Sequence, residues 1–181
     1  MSDPEGQLRR MTSGEIALAQ ALYSDQINYT TVWIHCDSYL PFGLQSKNVA
    51  MTPNGEIYFR DGYYYADFSA DNVSTDSKHI FLHELCHVWQ YQHGMMVKLR
   101  GLFSWAVDYH YNLAKPRLSD YSMEQQASIV SDYYILRDYG YSQWQDLWGN
   151  NFINKDGDYN DTDLLRMYEK ILGSFPSPEA L

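Results

Sequence analysis

The chain has 181 residues, 45% of them hydrophobic and 20% charged, with a formal net charge of −10. That length suits a single domain, 1–181, which buries roughly 70% of the surface its unfolded form exposes and needs no disulfide scaffold. The negative charge repels phosphate backbones and argues against nucleic acid as a partner, and no apolar run approaches the ~20 residues of a membrane span.

Met1-Ser2-Asp3-Pro4-Glu5-Gly6 lacks the basic and then apolar run of a signal peptide. The chain is therefore expected to be soluble, whether cytosolic, delivered by a route that needs no signal peptide, or part of a longer polypeptide. Thr12-Ser13-Gly14-Glu15 fits a capping box, and a helix is predicted over 13–24 with Ile16, Leu18, Ala19 and Leu22 on its apolar side. Residues 29–36 (YTTVWIHC) are β-branched and aromatic and read as a strand. Val49-Ala50-Met51 and Glu56-Ile57-Tyr58-Phe59 flank Thr52-Pro53-Asn54-Gly55, a hairpin signal because Asn-Gly readily adopts positive φ. A further strand is predicted over 63–68.

After residue 75 the period becomes helical. Helices are predicted over 76–92, over 98–113 (stopped near Pro116), over 122–137 and over 162–172. Ser122-Met123-Glu124-Gln125 resembles a second capping box. The tail, 174–181, reads as irregular. A small N-terminal sheet followed by a mainly helical half is an α+β arrangement. Aromatics reach 16%, including 17 Tyr and 5 Trp, which suits a small core of large side chains or a groove for an extended polymer. Cys36 and Cys86 are too few for a disulfide framework; each sits among apolar residues, and whether they pair is open.

His83, Glu84 and His87 form H-E-x-x-H on the helix predicted over 76–92. Four residues turn a helix by ~400°, which leaves the two imidazoles only ~40° apart and able to share one metal ion. Glu84, ~100° round from His83, stands beside such an ion without having to bind it. A catalytic zinc takes three protein ligands and keeps a fourth position for water, whose pKa it lowers to about 7; Glu84 then suits a general base. Phe81, Leu85, Val88 and Trp89 lie opposite the histidines, so one face of the helix is core and the other is free for a metal.

Two residues compete as third ligand. His93 stands ten residues after His83, the metzincin spacing, but that motif needs glycine where this chain has Gln90. On a continuing helix His93 lies about 80° off the metal face and reads as a helix-end histidine before Gly94. Glu124 opens the next helix, where a carboxylate also suits the helix dipole, and it is the favoured ligand; Ser128, one turn on, is a candidate neighbour of the ligands. His79, one turn before His83, reads as a surface histidine, with a place lining the cleft as the alternative, and His35 reads as structural. His110 and the tyrosines at 109, 111, 121, 133 and 134 include groups able to stabilise an oxyanion, and the spacing does not choose among them. The acidic run 156–161 imitates an EF-hand loop but has Asp161 in place of the required glycine and Met167 in place of the bidentate glutamate, so it reads as a solvated turn.

Thr12-Ser13-Gly14-Glu15-Ile16-Ala17-Leu18-Ala19, Val32-Trp33-Ile34-His35, Ala50-Met51-Thr52-Pro53-Asn54-Gly55, the run from Phe81 to Gln92 (FLHELCHVWQYQ) and Met123-Glu124-Gln125-Gln126-Ala127 occur in this order. Together they resemble the zincin-like metallopeptidase domains linked to bacterial contractile injection systems, some of which extend type VI secretion spike proteins of the valine-glycine-repeat family. The resemblance covers about 10–140. It implies a zincin-like fold, one catalytic zinc held by His83, His87 and Glu124, and Glu84 as base. It also implies an antibacterial toxin effector, secreted by the injection machinery without a signal peptide. Such an effector acts on protein or peptide in the target cell's periplasm, associates with a spike protein, and is neutralised in the producer by an immunity protein. Cys86 replaces a common threonine and Ser128 a common acidic residue of that family. Rival readings are a zinc-binding interaction module without turnover and a hydrolase of cell-wall material.

Overall fold

A computed structural model describes residues 5–95, 109–157 and 161–180. Three short strands form one sheet in the order β1 (Gln7–Arg10), β2 (Trp33–Cys36), β3 (Ile57–Phe59); β1 runs antiparallel to β2, and β2 parallel to β3. Four helices complete the described fold: α1 (Ser13–Tyr23), α2 (Thr75–Gln92), α3 (Met123–Gly149) and α4 (Asp161–Leu172). This is an α+β arrangement with a small sheet and a mainly helical remainder.

The strands alternate as a one-sided sheet should. Ile34, Cys36, Ile57 and Phe59 are fully buried, whereas Trp33, His35 and Tyr58 are only partly so. Phe59 packs on Phe68, which stacks on Phe81 at 4.6 Å, and this aromatic column joins the sheet to α2. Tyr23 donates from its hydroxyl to the carbonyl of Leu82, fixing α1 against the middle of α2. The aromatic content thus fills the core: Trp89, Tyr23, Tyr168, Phe59, Phe68 and Phe81 are among its largest fully buried side chains. Both cysteines are buried thiols that form no disulfide with each other.

Helix starts follow their sequence signals. Thr12 accepts from the amide of Glu15 while the Glu15 carboxylate accepts from the amide of Thr12, and Ser122 and Gln125 repeat the exchange at α3. α3 runs past the expected end at 137 but breaks at Gly140, whose φ of +84° suits glycine alone, so a second helical segment follows the first. The expected hairpin is present as a single antiparallel bridge between Met51 and Tyr58, with Gly55 at φ +75° against the ring of Tyr91.

Several expectations need correction. Residues 29–31 form a 3-10 turn, so the strand predicted over 29–36 is confined to β2. No strand occupies 63–68: the amides of Tyr63 and Tyr64 bond back to the Arg60 carbonyl, and the amide of Phe68 is taken by Glu15. β1 was not foreseen, because Gln7-Leu8-Arg9-Arg10 carries no β-branched residue and gains its ladder only from the edge of β2. The helix predicted over 98–113 lies mostly outside the described residues, and its end is extended rather than helical, with Tyr111 bridging in parallel to Lys155.

Candidate metal centre

α2 and α3 pack against each other, and their facing sides bring together the two halves of the proposed ligand set. Glu124 Oε2 lies 3.3 Å from His83 Nε2 and 3.0 Å from His87 Nε2. One ligand atom from each residue lies within 4.8 Å of the other two. Donors about 2.0–2.1 Å from a tetrahedral ion stand about 3.3 Å apart, so two imidazole nitrogens and one carboxylate oxygen at this spacing match the donor chemistry of zinc. Glu124 reaches this position as the second residue of α3, where the helix N-terminus also favours its charge.

The charges respond to one another. Burial opposes a charge on His87, but the Glu124 carboxylate, helped by Glu84, outweighs it and pushes the imidazole up to about 9. Burial likewise acts to raise Glu124, yet the imidazoles of His87 and His83 hold its carboxyl well below the usual carboxylate range. The pocket therefore attracts positive charge.

Glu84 is buried, and its Oε2 accepts a 2.6 Å hydrogen bond from the Thr52 hydroxyl on the turn of the hairpin. His87 Nδ1 donates to Gln90 Oε1 at 2.8 Å. Neither Thr52 nor Gln90 was assigned a role from the sequence. A hydroxyl 32 residues before Glu84 gives no periodic signal, and Gln90 stood out only as the residue that spoils the metzincin pattern.

A cleft of about 330 Å³ opens over His83 and Glu84, with Ala50, Tyr63, His79, Tyr109, Ser128 and Phe152 among its walls. Of the residues weighed as oxyanion stabilisers, Tyr109 lines this cleft, its ring 6.2 Å from that of His83. Burial, then Glu124 and Glu84, push its phenol up, so it stays a proton donor. Tyr111 and Tyr121 are committed to buried contacts elsewhere.

His79 is not on the surface. It is 5% exposed and donates from Nε2 to Asp132 Oδ1 at 2.6 Å; Asp132 Oδ2 accepts from the Tyr111 hydroxyl, which lies 2.6 Å from that of Tyr168. His93 caps α2, its Nδ1 donating to the Trp89 carbonyl, and does not join the cluster. His35 stacks on Tyr58 and pairs with Glu56. The acidic turn at 156–161 falls partly outside the described residues. Cys86 is buried beside Tyr23, and burial pushes its thiol up.

No protein-family model matches the chain. Over 135 residues, 70% of its length, it is 38% identical to the type VI secretion system spike protein VgrG2b of Pseudomonas aeruginosa, and the match spans 13% of that protein. Among solved structures it resembles the effector domain of Pseudomonas aeruginosa VgrG2b, with 33% identity and a TM-score of 0.64, covering 86% of this chain and 89% of that one.

Proposed function

The chain belongs to the family of the VgrG2b effector domain, and from that premise we propose that it is a zincin-like, zinc-dependent metallopeptidase acting as an antibacterial effector of a type VI or related contractile secretion system. The observation that carries the enzymatic half is the convergence of His83 Nε2, His87 Nε2 and Glu124 Oε2, with the Glu84 carboxylate beside them at the cleft. Family membership supports the other half. It brings association with a spike protein, action in the target cell's periplasm and an immunity protein in the producer as parts of the same proposal.

Zinc, when bound, supplies Lewis acidity that brings water to a pKa of about 7 and polarises a carbonyl. His83, His87 and Glu124 would hold it. The Glu84 carboxylate, held at Oε2 by the Thr52 hydroxyl, takes the proton from the attacking water and hands it to the leaving amine nitrogen. Tyr109, kept protonated, donates to the oxygen that becomes negative as the peptide carbonyl is attacked. The cleft walls orient an extended peptide across these groups.

The test joins metal content to toxicity. Purified wild type should hold one zinc per chain and harm cells when exported to the periplasm, whereas Glu84→Gln should hold zinc and be harmless. Equal toxicity of the two would defeat the catalytic reading; a wild type without zinc affinity would defeat the metal site. Digestion of purified protein and peptidoglycan side by side distinguishes a peptidase from a cell-wall hydrolase.

A further inference from the structure

Gln90 is fully buried, and each of its amide groups has a partner. Its Oε1 accepts from His87 Nδ1 at 2.8 Å; its Nε2 donates to the Met123 carbonyl and to Gln126 Oε1, both at 3.0 Å. Gln126, also buried, donates in turn from Nε2 to the Tyr121 carbonyl at 2.9 Å. The two backbone carbonyls can only accept, so they fix the direction of every hydrogen bond in the chain. Gln126 must present its oxygen to Gln90, and Gln90 must present its oxygen to His87. Nδ1 of His87 therefore keeps a proton, so the lone pair needed for a metal can be freed only on Nε2, the atom facing Glu124.

The same chain ties α2 to the first residues of α3. Met123, whose carbonyl holds Gln90, is the neighbour of Glu124 in sequence. We infer that Gln90 is a positioning residue for the metal centre: with Gln126 it selects the His87 tautomer and sets the spacing between the histidine helix and the glutamate helix. The inference rests on the proposed metal site and extends it by a residue that binds no metal itself. It also accounts for Gln90 in the first motif and Gln126 in the second, which meet side chain to side chain.

The full chain is tested with zinc alone. Zinc affinity is measured by chelator competition and the geometry by the visible spectrum of the cobalt(II) form, for wild type, Gln90→Leu and Gln90→Glu. Gln90→Leu should weaken zinc binding by about 10- to 100-fold and alter the cobalt spectrum. Gln90→Glu still offers an oxygen to His87 Nδ1 but cannot donate to Met123 and Gln126, so it should recover only part of the affinity lost in Gln90→Leu, the part owed to the His87 tautomer. Ring-nitrogen NMR of zinc-loaded wild type should show His87 protonated at Nδ1, a result that requires no variant to fold. Wild-type affinity in Gln90→Leu, a Gln90→Glu no better than Gln90→Leu, or His87 protonated at Nε2 would each overturn the role of Gln90. A wild type that binds no zinc would remove the metal site itself, and this inference with it.

Discussion

Glu84 owes its orientation to Thr52, a residue on a different element. A hydrogen bond to a charged group contributes about 1.5–3 kcal/mol, and removing the Thr52 hydroxyl frees the carboxylate to rotate away from the cleft. Thr52→Val, which keeps shape and loses the hydroxyl, should lower turnover on a protein substrate by about 10- to 100-fold while zinc content stays at the wild-type level. Unchanged turnover would show that Glu84 is oriented by other means. Asp132 poses a similar question away from the candidate metal centre. It is fully buried and serves His79 and Tyr111 at once, so Asp132→Ala strands both partners. Breaking such a buried pair costs about 3–5 kcal/mol, a fall in Tm of roughly 6–20 °C for a chain of this size. Thermal melting of the metal-free protein reads this directly.

At the scale of elements, α1 is held by more than its cap. Glu15 closes the capping box and also receives both terminal nitrogens of Arg9 from β1 and the amide of Phe68 from the following loop. Thr12→Ala removes one cap bond and the hydroxyl's bond to Asp67 and should cost about 1–2 kcal/mol. Glu15→Ala leaves a partly buried guanidinium and two amides without their acceptor and should cost about 3–5 kcal/mol. Urea unfolding of the two variants tests the ratio; equal losses would mean that Glu15 acts only as a cap. The contact also explains why residues 63–68 do not form a strand, since one of their amides is directed at a helix N-terminus instead of a neighbouring strand.

For the molecule as a whole, the proposed metal site and stability are linked through protons. His87 in the folded, metal-free protein titrates at about 9 against 6.5 for the free side chain. A raised folded value means that its pairing with Glu124 stabilises fully below about pH 6.5 and is lost as pH rises through about 9. Tm of the metal-free protein should therefore fall across that window. Zinc requires the Nε2 proton to leave, so the rise in Tm caused by zinc should grow over the same window. With free zinc at 1,000 times its Kd the added stability is about 4 kcal/mol. Calorimetry of metal-free and zinc-loaded protein at pH 6.5, 7.5 and 9 checks both trends; a metal-free Tm that rises with pH would contradict the His87–Glu124 coupling.

Local chemistry alone determined where α1 and α3 begin, since a hydroxyl three residues before a carboxylate or amide satisfies its own backbone wherever it occurs. It also determined that His83 and His87 share a face of α2, because helical spacing needs no other part of the chain. Only the tertiary structure could decide which distant oxygen joins them, that His79 is buried against Asp132, that Thr52 meets Glu84, and that Gln90, one turn from His87, is held by Met123 and Gln126. Those contacts depend on how α2 packs against α3 and the hairpin, and on which buried polar groups must find partners there. Side-chain pairs 32 to 53 residues apart leave no period in a sequence.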